Sequence, residues 1–233
     1  MATKKTKEPT AGAALLTINP LPMEVLEIPI TGVTPLIVNR FGPKIREEIR
    51  RIEAGGKKIK MPRDPLAEYE DAFYRIKGSD LDGEFGFPLT AFKSCTVSAC
   101  RFYDRSVSMQ AVKQYLWFEP EYYDEDGVAL VPLQYDDNSP RMREDPVRVR
   151  NGGTTLRYRP EFTGWSTTVR VRYVMSSINM DSVLELMNAG GLNVGVGEWR
   201  PEKGTGGNSG TNGCWQVDHE QGISIHPFVA GRV

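Results

Sequence analysis

Apolar positions along the chain follow two rhythms, one of period two and one of period three to four, separated by glycine, proline and charge. Residues 23–38, MEVLEIPITGVTPLIV, gather Val25, Ile28 and Ile30 and then Leu36, Ile37 and Val38 around an interruption at Gly32. This predicts a first strand, bent or bulged at the glycine. Ile45, Ile49 and Ile52 then recur at helical spacing until Gly55 and Gly56, which predicts a helix whose narrow apolar stripe suits the surface. Asp64-Pro65 opens a second predicted helix, packed through Leu66, Tyr69 and Phe73. Residues 89–103 place Phe92, Cys95, Ala99 and Phe102 at helical spacings, and their small side chains allow close packing on a sheet. Residues 107–120 alternate loosely and end in YLWFEP, a strand by β-propensity, and VALVPLQY predicts another. The polar run 136–146 predicts a loop. VRVRNGGTTLRYRP predicts a hairpin turning at Asn151-Gly152-Gly153, with Arg148 and Arg150 on one face and Val147 and Val149 on the other. The clearest strand is GWSTTVRVRYVM at 164–175. Met180, Val183, Leu184 and Met187 line the next helix, and Cys214 to Val217 form a returning strand.

Composition narrows the class. The chain has 233 residues, 39% hydrophobic and 25% charged, and no apolar run approaches the length of a membrane span. One domain over 21–233 is expected, elaborated by a basic and acidic helical insertion at 39–86 and an arginine-rich loop and hairpin at 136–160, behind a flexible arm at 1–20. Cytoplasmic residence and no membrane contact are the corresponding expectations. Cys95, Cys100 and Cys214 include no CxxC pair and read as buried thiols, and His219 and His226 fall too late for a His-based metal cluster, so no cofactor or metal is expected. The acidic run at 119–126 lacks the glycine-centred loop of a calcium hand and reads as a solvated turn.

A formal charge of -1 conceals strong patterning. Residues 40–63 hold nine Lys/Arg against three Glu, whereas 64–84 hold seven acids against two bases. Clustering of this kind keeps nucleic acid open as a partner. The chemistry concentrates in NAGGLNVGVGEWRPEK at 188–203, with four glycines in eight residues, poor for helix and for strand interior alike. Backbone that bare suits direct contact with a phosphate chain. The segment lacks the Gly-Lys-Ser/Thr ending of a P-loop, and its glycines follow a helix, which demotes nucleotide hydrolysis. The candidate nucleic-acid-binding set is therefore Gly190, Gly191, Gly195 and Gly197 with Lys93, Arg200 and Lys203. The hairpin adds Arg148, Arg150, Arg157 and Arg159, the basic insertion adds Lys57, Lys58 and Lys60, and Tyr158, Trp165 and Trp199 are candidate stacking rings.

The element order reads β-α-β-β-α-β, that of a ferredoxin-like, RNA-recognition-type α+β fold with an antiparallel sheet. Three stretches resemble the RAMP superfamily, which supplies backbone subunits of CRISPR effector complexes and guide-processing ribonucleases: EIPITGVTPLIV, FPLTAFKSCTVSACR and AGGLNVGVGEWRP. RYRPEFTGWSTTVRVRY with AGGLNVGVGEWRPEKG is also similar to proteins of phage genomes. The resemblance implies a non-catalytic binder of single-stranded RNA or DNA that contacts the backbone and assembles as a homo-oligomer side by side along the strand, phage-encoded and with no catalytic residue. Two alternatives stay open. One is a RAMP-like endoribonuclease, although no histidine lies near the glycine segment. The other is an interaction protein that mimics a CRISPR backbone subunit.

Overall fold

The computed structural model describes residues 18–56, 62–104, 107–148, 152–202 and 209–228. Strand β1 (Met23–Gly32) bends into the short β2 (Leu36–Ile37), and Leu26, Ile28 and Ile30 are wholly buried on one side of it. Helix α1 (Pro43–Glu53) starts on proline, carries Arg50 and Arg51 in its last turn against the negative end of its dipole, and stops before Gly55 at φ 84. Ile49 and Ile52 stay exposed on it, as the narrow stripe predicts. In α2 (Pro65–Asp71) the Asp64 carboxylate accepts from the backbone N–H groups of Leu66 and Ala67. Leu66 is nevertheless 67% exposed, contrary to expectation. The helix ends at Asp71, and Phe73 packs from the chain beyond it.

The chain continues through β3 (Tyr74–Arg75) and β4 (Phe85–Pro88) into α3 (Leu89–Ser98), prolonged by a 3-10 turn over Ala99–Phe102. Then follow α4 (Met109–Tyr115), β5 (Leu116–Phe118), β6 (Tyr122–Tyr123) and β7 (Ala129–Pro132). The strand expected at YLWFEP is thus present as Leu116–Phe118, and the loosely alternating residues before it form helix α4. Ser108 caps α4 by accepting from Ala111 N–H, and Met, Gln, Ala and Lys are good helix formers, so β-propensity governs only Leu116, Trp117 and Phe118. The hairpin strands are β8 (Arg141–Arg148) and β9 (Thr154–Phe162), followed by β10 (Ser166–Val174), α5 (Met180–Asn193), β11 (Trp215–Val217) and β12 (Ser224–Pro227).

The predicted polar loop at 136–146 is strand from Arg141 onward. Its register with β9 sets Arg141 opposite Glu161 and Arg143 opposite Arg159, and Glu161 takes both Arg141 and Arg143 as ion-pair partners. Cross-strand charge pairing holds this ribbon where apolar alternation is missing. Burial pushes the Glu161 carboxyl up, but the two guanidiniums outweigh it and hold the group below the usual carboxylate range.

The main sheet runs β11-β1-β10-β5, with β12 also pairing with β1, and every pairing is antiparallel. Leu26, Ile28 and Ile30 of β1, Val169, Val171 and Tyr173 of β10, and Leu116 and Phe118 of β5 join Phe92, Val183 and Met187 of the helices in one core. Helix α3 packs against α5, and α5 against β11. Two further antiparallel sheets run β3-β4-β7-β6 and β2-β9-β8. The protein is a mixed α+β fold with antiparallel sheets. The acidic turn is not simply solvated: Arg40 reaches Glu125 at 2.8 Å and Arg46 reaches Asp126 at 2.7 Å, which ties the turn to Arg40 and to α1.

Candidate nucleic-acid interface

Helix α5 begins on Asn179, whose side chain accepts from Ser182 N–H at 2.8 Å, and it runs further than the glycines suggest. Gly190 and Gly191 are helical and buried, which corrects the expectation that they present bare backbone to a ligand. A Cβ on Gly190 would stand 2.8 Å from the Cys95 carbonyl oxygen, and one on Gly191 would stand 2.1 Å from that of Trp215. These two glycines let α5 seat directly on α3 and β11.

Beyond the helix the backbone changes character. Gly195 and Gly197 take φ 69 and 77, conformations that other L-residues adopt at a penalty. Hydrogen bonds pin the segment on several sides: Val196 N–H donates to Gly213 O at 2.9 Å, Glu198 N–H to Ile37 O at 2.9 Å, and Glu202 N–H to Val194 O at 3.2 Å. Val194 and Val196 are buried, so the apolar side chains anchor while the glycines turn. Trp199 follows in the left-handed region at φ 55, uncommon for a bulky residue. The Arg200 guanidinium donates back to Gly197 O at 2.9 Å.

Between this segment and α3 lies a cleft of about 350 Å³, walled by Thr90, Ala91, Ser94 and Ser98 on one side and by Gly195, Gly197, Arg200 and Glu202 on the other. Helix α3 has no side-chain cap, since Pro88 holds the N-cap position, and its first turn opens on the cleft through Thr90 and Ala91. Hydroxyls, an uncapped positive helix end and a guanidinium thus face one space, a set suited to holding an anionic oxygen. Glu202 bounds it and is ion-paired with Arg101. Burial pushes the Cys95 thiol, which also lines the cleft, up to about 12, so it is neutral and non-nucleophilic at ordinary pH.

The other candidates distribute unevenly. Lys93 lies on another face of α3, with its amine 5.3 Å from the centre of the Trp117 ring, away from the cleft lining. Arg148 and Arg157 are exposed on the hairpin, but the pairing of odd with odd positions puts Arg157 and Arg159 on one face and Arg148 on the other. Arg159 is buried, with Nη1 3.9 Å from Asp145, and its Nε and Nη1 have no hydrogen-bond partner among the described residues. Burial lowers its pKa. This arginine therefore cannot grip a strand, a correction. Trp165 is likewise no stacking platform: it is wholly buried and donates from Nε1 to Thr34 O at 2.8 Å. Lys57, Lys58, Lys60, Arg150 and Lys203 lie outside the described residues.

The hairpin root and the glycine segment meet at β2. Val38 N–H donates to Pro160 O at 3.0 Å, next to the Ile37 carbonyl that accepts from Glu198. Sequence reasoning missed Thr90, Ser94 and Ser98 as cleft residues, although the hydroxyl spacing i, i+4, i+8 along a predicted helix carried that signal.

No family model matches the sequence, and no curated protein does. Among solved structures, the chain is similar to one in a cryo-EM structure of the Type III-B Cmr-beta bound to cognate target RNA, at 8% identity and a TM-score of 0.45. The superposition covers 88% of this chain and 61% of that one, so the chain spans about three-fifths of that neighbour.

Proposed function

We propose that this protein binds single-stranded nucleic acid through its sugar-phosphate backbone and does no chemistry on it. The observation that carries this reading is the cleft, where the uncapped start of α3, the hydroxyls of Thr90, Ser94 and Ser98, and Arg200 converge on the positive-φ glycine segment. Phosphates offer the charge such a set complements. Arg157, exposed on the hairpin whose root adjoins the same segment, extends the basic surface.

We read the core as ferredoxin-like. Numbering the strands of the β-α-β-β-α-β series along the chain as β1, β5, β10 and β11, their order across the sheet is fourth, first, third, second, with α3 and α5 as the two helices. The glycine segment follows the second of those helices, which agrees with the RAMP-like reading of the sequence. Side-by-side assembly along the strand belongs to that reading.

The test is a titration of labelled single-stranded RNA and DNA, followed by anisotropy at rising salt and closed with a denaturing gel. Affinity falling linearly with salt on logarithmic axes and an intact oligonucleotide are expected. No binding overturns the reading, and cleaved RNA replaces it with the endoribonuclease reading.

A further inference from the structure

The face of the main sheet turned away from α3 and α5 carries an aromatic and cationic cluster that the cleft does not use. Strand β5 buries Leu116 and Phe118 and leaves Trp117 between them 52% exposed on the other face. The register aligns Trp117 with Arg172, Arg172 with Val25, and Val25 with His226, one row across four strands. The Arg172 guanidinium carbon lies 5.8 Å from the Trp117 ring centre and 4.4 Å from that of Phe228. From the helix side, Lys93 reaches round the edge strand to within 5.3 Å of the Trp117 ring.

The charges on this face are not evenly matched. Arg170 stands 3.4 Å from Glu27 and 3.8 Å from Glu119, and Arg172 stands 3.7 Å from Glu119, so the two carboxylates are compensated. Lys93 has no acidic partner among the described residues, and its only contact of note is the indole. A half-exposed indole flanked by one compensated and one uncompensated cation has the features of a nucleotide subsite: a π-face for the base and a positive charge beside it for the phosphate.

We propose that Trp117 is a base-stacking platform for single-stranded nucleic acid, with Lys93 and Arg172 neutralising the adjoining phosphates. This rests on the reading of the chain as a single-strand binder and adds a second, base-dependent contact on the opposite side of the sheet from the cleft. Stacking of a base on an aromatic ring is stronger than a cation over the same ring in water, so an incoming base displaces the Lys93 amine, whose flexible stem carries it to the phosphate. The Arg172 guanidinium lies closer to the Phe228 ring, at 4.4 Å, than to the indole, at 5.8 Å. The contact is sequence-tolerant, since every base has a π-face.

The experiment compares a labelled oligothymidine with an abasic strand of the same length, binding to wild type, Trp117→Ala, Trp117→Phe and Arg200→Ala. Wild type is expected to bind the base-bearing strand about tenfold more tightly than the abasic one. Trp117→Ala brings the two to near parity, Trp117→Phe keeps most of the preference, and the abasic strand binds all three alike. Arg200→Ala weakens both strands by the same factor. Equal affinity of wild type for the two strands, or a preference that survives Trp117→Ala, overturns the platform while leaving the cleft intact. Failure of wild type to bind either strand removes both proposals.

Discussion

Gly190 and Gly191 lie in the last turn of α5 with ordinary helical backbone, while Gly195 and Gly197 lie just beyond it with φ 69 and 77. In sequence the two pairs look like one glycine-rich loop. In the fold they answer different demands, since the first pair is glycine for close packing alone, whereas the second combines close packing, with a Cβ on Gly197 2.6 Å from the Ile37 carbonyl oxygen, and a left-handed backbone that a side chain disfavours. Only the second pair borders the cleft. A run of glycines is therefore a weak indication of a ligand until close packing against the rest of the protein has been separated from backbone shape.

Substitutions sharpen this contrast. The largest effect is expected for Gly191→Ala, whose Cβ would stand 2.1 Å from the Trp215 carbonyl oxygen and whose helix cannot withdraw without opening the core. Overpacking of this kind costs about 3 kcal/mol, which for a chain of this size lowers Tm by roughly 6–12 °C. A thermal melt checks it, and the folded fraction should bind as wild type does. Gly195→Ala is expected to cost about 1–2 kcal/mol through its left-handed backbone. Unlike the first variant, it should also weaken oligonucleotide binding, because the turn it distorts carries the cleft wall. If both variants change stability alone, the contrast between the glycine pairs has no bearing on the ligand.

A smaller effect is expected at the hairpin root. The Glu161 carboxyl is held below its ordinary value by Arg141 and Arg143 once they outweigh its burial, so its folded-state pKa is depressed. The stability it contributes is then fully present above the unfolded glutamate value, about 4.3, and is lost as pH falls through the lowered folded value. Melts between neutral and strongly acidic pH should show wild type losing this increment in that window, and Glu161→Gln should lack that step. Smallest of all is the thiol reactivity of Cys95. With its pKa at about 12, it should resist alkylation near neutral pH in the folded protein and react only on unfolding.

How much of this could be read from the chain depended on whether one element or several decided a position. Strand β10 and the apolar side of α5 carry their own periodicity, and Val25, Ile28 and Ile30 of β1 announce a strand through β-branched residues alone. Strand β8 does not, because its pairing rests on Glu161 eighteen and twenty residues away from the arginines it binds. The rotation of α3 was also out of reach. Lys93 and Ser94 are neighbours in sequence, yet one reaches Trp117 and the other lines the cleft, and only the seating of α3 on the sheet and on Gly190 decides which. Trp117 itself sat in a run that read as an ordinary strand, and its exposure follows from β5 being short and at the sheet edge.

The most direct measurement is the salt dependence of single-strand binding in wild type and Arg200→Ala. If the cleft holds the phosphate backbone, log affinity falls linearly with log salt, and removing Arg200 lowers affinity for all sequences alike while reducing the slope by about one. A wild-type affinity indifferent to salt, or a slope that Arg200→Ala leaves unchanged, contradicts the account.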